Sequence, residues 1–178
     1  MRKLFFVVTV ISITGCNFHD QRKDEAIEAL KKADQSQSPN QRDTSAVKKA
    51  RMAVQSFVNR FPEDSLSPSF LFELARIYQS QRQYDSSLKF LDRIYSQYPR
   101  SKVASKAVFD EGFIYSQDLK LYDRAREKYQ LYLDKYSSID AKMTNDAKDE
   151  IEYMGMSPEE RLQKIQEKNA KDTTRAPS

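Results

Sequence analysis

The chain has 178 residues, 39% apolar and 31% charged, with 30 Lys and Arg against 26 Asp and Glu for a formal charge of +4, and is long enough to bury a core without staples. Three Gly, six Pro and no Trp leave too little turn chemistry for a many-stranded sandwich or barrel, so helix is expected throughout. One Cys excludes an internal disulfide framework and a Cys-based zinc site, and one His excludes a His-rich metal centre.

Arg2 and Lys3 precede an apolar run from Leu4 to Ile13 that only Thr9 and Ser12 interrupt, the profile of a signal peptide over residues 1–15. Ten residues are too few to span a bilayer core of about 30 Å as a helix, which takes about 20. The run closes on Ile13-Thr14-Gly15-Cys16, which resembles the bacterial lipobox, where an apolar residue and two small ones precede the cysteine that receives a lipid. The resemblance implies cleavage after Gly15 and a covalent lipid on Cys16, the sole non-protein group expected. With Asn17 next, it also implies export to the outer membrane, facing the periplasm. The alternative is an ordinary signal peptide, or a buried hydrophobic helix, whose Cys is incidental. Several acyl chains, at about 0.8 kcal/mol per buried CH₂, make an effectively permanent anchor. Residues 16–22, including His19, are read as a lipidated tether.

Asp24 to Ala33 places Ala26, Ile27, Leu30 and Ala33 on one stripe, predicting a helix over about residues 20–35. The polar stretch Ser36 to Asp43 reads as a loop around Pro39-Asn40. Thr44 or Ser45 can cap the next helix, whose face is Val47, Ala50, Val54, Phe57 and Phe61. It is read as the second helix of an incomplete leading repeat.

From here the chain repeats itself. Phe61-Pro62 recurs as Tyr98-Pro99 after 37 residues, Phe72 to Tyr78 recurs as Phe109 to Tyr115 after 37, and Tyr84-Asp85 recurs as Tyr122-Asp123 after 38. One residue is therefore inserted in the second unit, and the expected place is the inter-helix loop Asp118 to Leu121. Helical spacing of Phe70, Leu71, Leu74, Ile77 and Tyr78, then of Leu88, Leu91, Ile94 and Tyr95, makes each unit a helix hairpin. Pro62 and Pro99 mark the turns between units. Such hairpins expose apolar flanks that a neighbour must cover, so they should stack into a right-handed solenoid.

These residues resemble the tetratricopeptide repeat family. Its pattern is met by Leu71, Leu74, Ala75 and Tyr78, then Ser87, Leu91, Ile94 and Pro99, and again by Val108, Gly112 and Tyr115, then Ala125 and Tyr129. The second unit departs from the pattern at Glu111, Tyr132 and Ser137. Ala75, Gly112 and Ala125 should let helices approach closely, with aromatics filling the volume beside them. The long turns after Pro62 and Pro99 are similar to those of bacterial envelope repeat proteins of the outer-membrane assembly lipoprotein and Tol-Pal coordinator types. The fold class expected is all-α, a helix-hairpin solenoid of seven or eight helices over residues 23–170, clearest at 67–99 and 104–137. Downstream, Ala141 to Met154 should form a helix presenting Met143, Ala147, Ile151 and Met154, with Gly155 as its C-cap. Ser157-Pro158-Glu159-Glu160 is a capping box that starts a last helix. Residues 171–178 are read as a disordered tail.

No catalytic residue is assigned. A phosphate loop and a His-Glu-x-x-His motif are both missing, and the pairs Asp149-Glu150 and Glu159-Glu160 suit solvated faces and helix N-termini. Loss of Arg2 and Lys3 would take the formal charge from +4 to +2, which is no footprint for nucleic acid. The family resemblance implies a partner groove along the first helices, lined by Phe72, Arg76 and Gln79 in one unit and by Lys106, Phe109, Phe113 and Ser116 in the next. Phe72 and Phe109 could line that groove, or pack inside the superhelix or against the terminal helices; both readings stay open. The expectation is a non-enzymatic, lipid-anchored scaffold for a protein partner, with outer-membrane assembly components as candidates and no small-molecule substrate. The alternative is an accessory subunit that positions a peptidoglycan-active or secretion enzyme.

Overall fold

The computed structural model describes residues 13–38, 41–42 and 44–174. The charged start and most of the apolar run of the expected signal peptide, the Pro39-Asn40 step and residues 175–178 lie outside the described residues. The fold is all-α. In chain order the helices are α1 Ile13–Gln35, α2 Thr44–Arg60, α3 Leu66–Ser80, α4 Tyr84–Gln97, α5 Ala104–Phe113, α6 Tyr122–Tyr136, α7 Ala141–Glu152 and α8 Pro158–Thr174, with a π-helical turn, Ile114–Asp118, continuing α5. Between α1 and α2, two-residue strands β1 Gln37–Ser38 and β2 Gln41–Arg42 pair antiparallel, Gln37 opposite Arg42. The chain divides into two units between Ile94 and Tyr95.

In the first unit the small, fully buried Ala26, Ala33 and Ala50 let α1 and α2 lie close, and Val54, Phe57 and Val58 fill the space beside them. Phe57 then meets the edge of Phe70 on α3, with ring centroids 5.0 Å apart. The α2–α3 turn is tied by Asp64, whose Oδ1 accepts the Leu66 N–H at 2.8 Å, and by Ser67, whose hydroxyl donates to the Phe61 carbonyl at 2.7 Å. α3 and α4 form a hairpin closed by Arg82 at φ 59° and by Tyr78 stacked on Phe90 at 5.6 Å. Leu71, Leu74, Leu91 and Ile94 are buried within it, each worth about 1.5–3 kcal/mol in apolar surface taken from water.

In the second unit Gly112 of α5 faces Tyr129 of α6 so closely that a Cβ there would lie 2.9 Å from the ring. That is the close approach expected of this glycine. Phe109 meets Tyr129 and Tyr132 edge-on at 5.2 and 5.7 Å, and the Tyr136 hydroxyl donates to the Pro99 carbonyl at 2.9 Å. Asp140 caps α7 by accepting the Met143 N–H; the helix ends at Glu152 with Tyr153 as its C-cap, short of the expected Met154, and Gly155, expected as the C-cap, takes φ 80° in the turn that follows. In the capping box of α8, Glu160 accepts the Ser157 N–H at 2.7 Å and Ser157 accepts that of Glu160 at 3.2 Å. Glu152 receives Lys164 and Lys168 from α8, and Arg161 and Lys164 lie over the Tyr153 ring.

Other features also differ from the expectation, beginning with the strands β1 and β2, which fall in the stretch read as a loop. α1 begins at Ile13 rather than near residue 20, so the segment read as a tether at 16–22 is helical. Its Phe18 and His19 side chains find partners on the α2–α3 turn, which holds a segment that composition alone leaves loose. Residues 171–174, assigned to the tail, continue α8.

A further difference is the inserted residue, which sits in the π turn rather than the inter-helix loop. Arg82 and Lys120 both adopt positive φ two residues before the next helix, so the two loops have equal length. Inside the helices the pairing differs. Gln81 N–H reaches Ile77 and Gln83 N–H reaches Tyr78, whereas Leu119 N–H reaches Ile114 and Leu121 N–H reaches Tyr115. Each bond of the second unit spans one residue more, the signature of a residue accommodated by widening the helix.

Candidate partner-binding site

On α3, Phe72, Arg76 and Gln79 occupy positions i, i+4 and i+7, hence one stripe. Only 8% of Phe72 is exposed, Gln79 is half-buried, and Arg76 projects into solvent, loosely paired with Glu73 at 3.7 Å. On α5 and its π continuation, Lys106 is exposed, Phe109 is half-buried on Tyr129 and Tyr132, and Phe113 is 41% exposed. Ser116 is buried and its hydroxyl donates to the Phe113 carbonyl at 3.2 Å. Phe109 therefore spends its inner edge in the hairpin core. The groups of these stripes left accessible are Arg76 with part of Gln79 in the first unit, and Lys106, Phe113 and part of Phe109 in the second.

Residues 70–101 match the tetratricopeptide repeat family. The matched repeat comprises α3 from Phe70 onward, α4 and the Pro99 turn. No curated protein and no solved structure matches the chain. Tetratricopeptide repeats serve as protein-interaction scaffolds whose stacked helices present extended binding surfaces.

Two polar features were not legible as partnered groups. Glu111 stands where the repeat pattern has an apolar residue; it is 2% exposed, and its carboxylate meets Lys128 of α6 at 2.9 Å. Its departure from the repeat pattern is the signal that points to it. His19, read as part of a tether, has its Nε2 2.7 Å from Asp64 Oδ2 and its ring 4.7 Å from that of Phe61. Burial works against the charge on Asp64, yet the Leu66 N–H, His19 and Lys23 together hold its carboxyl below the usual carboxylate range. Burial pushes the Tyr129 phenol well up, so it stays neutral as a packing group. Among the described residues, no group of three or more His, Cys, Asp and Glu side chains could hold a metal, and no helix is long and apolar enough to cross a membrane.

Proposed function

We propose that this chain is a lipid-anchored, non-enzymatic scaffold of the bacterial cell envelope, fixed to the outer membrane through Cys16 and holding a protein partner on its repeat helices. The observation that carries the scaffold is the tetratricopeptide repeat at 70–101. Its first helix offers Arg76 outward, and the equivalent helix of the second unit offers Lys106 and Phe113. Within the second unit, an exposed cation seven positions from a partly exposed aromatic, hence on the same helix face, suits an apolar peptide with acidic flanks, because rigid aromatics supply contact area at small entropic cost. Support for the anchor comes from Ile13-Thr14-Gly15-Cys16 at the end of an apolar run, and Asn17 supports the outer membrane as destination. The partner process is outer-membrane protein assembly or envelope maintenance.

Membrane fractionation with mass spectrometry of the N-terminal peptide tests the anchor. The native chain should be processed at Gly15 and carry acyl mass on Cys16, and Cys16→Ser should shift it to unprocessed or soluble fractions. An unchanged distribution of Cys16→Ser would sink the anchor. Cross-linking in membranes followed by affinity recovery should yield outer-membrane assembly components; recovery of a hydrolase or secretion subunit instead would contradict that assignment.

A further inference from the structure

In charge, α2 stands apart from the other helices. It carries Lys48, Lys49, Arg51 and Arg60 and no Asp or Glu, whereas every other described helix contains an acid. On α1 and α7 exposed lysines meet carboxylates one turn away, Lys32 with Glu28 at 2.6 Å and Lys142 with Asp146 at 2.7 Å. Among the described residues, none of Lys48, Lys49 and Arg60 is paired with a carboxylate. Helix stability does not account for the two lysines, because they stand toward the end of α2 where the macrodipole favours acids.

These cations share a face. Lys49, Met52, Ser56 and Arg60 follow at i, i+3, i+7 and i+11, and Lys48 lies four positions before Met52. All three cations are exposed, and Met52 between them keeps 59% of its surface in solvent. At the far end Arg93 of α4 joins the same edge by donating to the Asn59 side chain at 3.3 Å. From Lys48 to Arg60 the face runs about 18 Å, three turns of helix. The opposite side of α2 is committed to the core through Val47, Ala50, Val54, Phe57 and Val58, so the helix has no apolar face left to lay into a bilayer. Met52 offers an apolar contact that a phosphate backbone, bound through its charge, does not use.

We infer that the outer face of α2 is a second docking surface, and that its occupant is an acidic protein segment with an apolar side chain set among its carboxylates. The carboxylates face Lys48, Lys49 and Arg60, and the apolar group covers Met52, whose unbranched side chain adapts to the fit. This surface shares no residue with the stripes on α3 and α5 and does not depend on a lipid at Cys16.

The probe is a fluorescein-labelled peptide of Glu and Ala with one central Leu, titrated with the full chain at about 0.15 M salt and read by fluorescence anisotropy. The expected result is saturable binding that is about tenfold weaker for the Lys48→Glu, Lys49→Glu protein and about threefold weaker for Met52→Ser. A control of equal charge change, Lys102→Glu with Lys135→Glu at exposed positions of the second unit, should bind as the native chain does. Absence of saturable binding, native-level binding by the Lys48→Glu, Lys49→Glu protein of verified helicity, or an equal loss in the control overturns the surface. Binding indifferent to Met52→Ser, or tighter binding of a DNA oligonucleotide or of phosphatidylglycerol vesicles than of the peptide, overturns the acidic protein segment as occupant. Should the double glutamate variant fail to fold, Lys48→Gln with Lys49→Gln carries the same outcomes.

Discussion

Gly112 shows how one residue type fixes the spacing of a helix hairpin. Its missing Cβ is the space that the Tyr129 ring occupies, at 2.9 Å from where that atom would be, and rigid neighbours cannot yield that much. Gly112→Ala is expected to lower stability by about 1–3 kcal/mol despite alanine's better helix propensity, read as a drop in melting temperature by circular dichroism; an unchanged or raised midpoint would contradict this packing. Asp64 gives a second residue-scale expectation. Its carboxyl is held below the usual range in the folded state, so the unfolded chain binds the proton more readily. The stabilisation is complete above the unfolded value of about 4 and disappears as pH falls through the lower folded value. Asp64→Asn should therefore flatten the acid limb of the melting profile below about pH 4, and a profile parallel to that of the native chain would refute the assignment.

At the scale of elements, the inserted residue is the informative case. Sequence periodicity located an extra residue between Tyr115 and Tyr122 but could not choose between lengthening a loop and widening a helix, because both leave the flanking apolar pattern intact. The backbone bonds decide: Leu119 to Ile114 and Leu121 to Tyr115 each span one residue more than their counterparts in α3. Deleting Gln117 should convert the π turn to ordinary α-helix and restore the 37-residue spacing, with helicity retained and a melting midpoint within a few degrees of the native chain, about 1 kcal/mol or less. Loss of helical signal on deletion would mean that the widened turn is needed for the fold. Element ends were harder to read than element identities. The capping box at Ser157 and the turn at Gly155 announced themselves because each depends on local residue chemistry. The early start of α1 did not, because it rests on Phe18 and His19 meeting residues more than forty positions away.

For the whole molecule, the all-α repeat class was legible because period, small residues and turn prolines all point the same way, and a tetratricopeptide repeat at 70–101 agrees with them. The candidate site was legible only as a stripe. The family resemblance implied Phe72, Arg76, Gln79, Lys106, Phe109 and Phe113 on first helices, but whether a side chain faces outward or into the core depends on packing that no short spacing encodes. Phe72 is buried and Phe109 leans on two tyrosines, while Arg76, Lys106 and Phe113 stay accessible. The central claim, that these exposed groups hold a protein partner for a membrane-anchored scaffold, is tested most directly by quantitative cross-linking of the lipidated chain in its own membranes. Native protein is compared with an Arg76→Glu, Lys106→Glu, Phe113→Ala variant of verified helicity and melting behaviour. The account predicts that the partner recovered with the native chain is lost from the folded triple variant; recovery at the native level would contradict it.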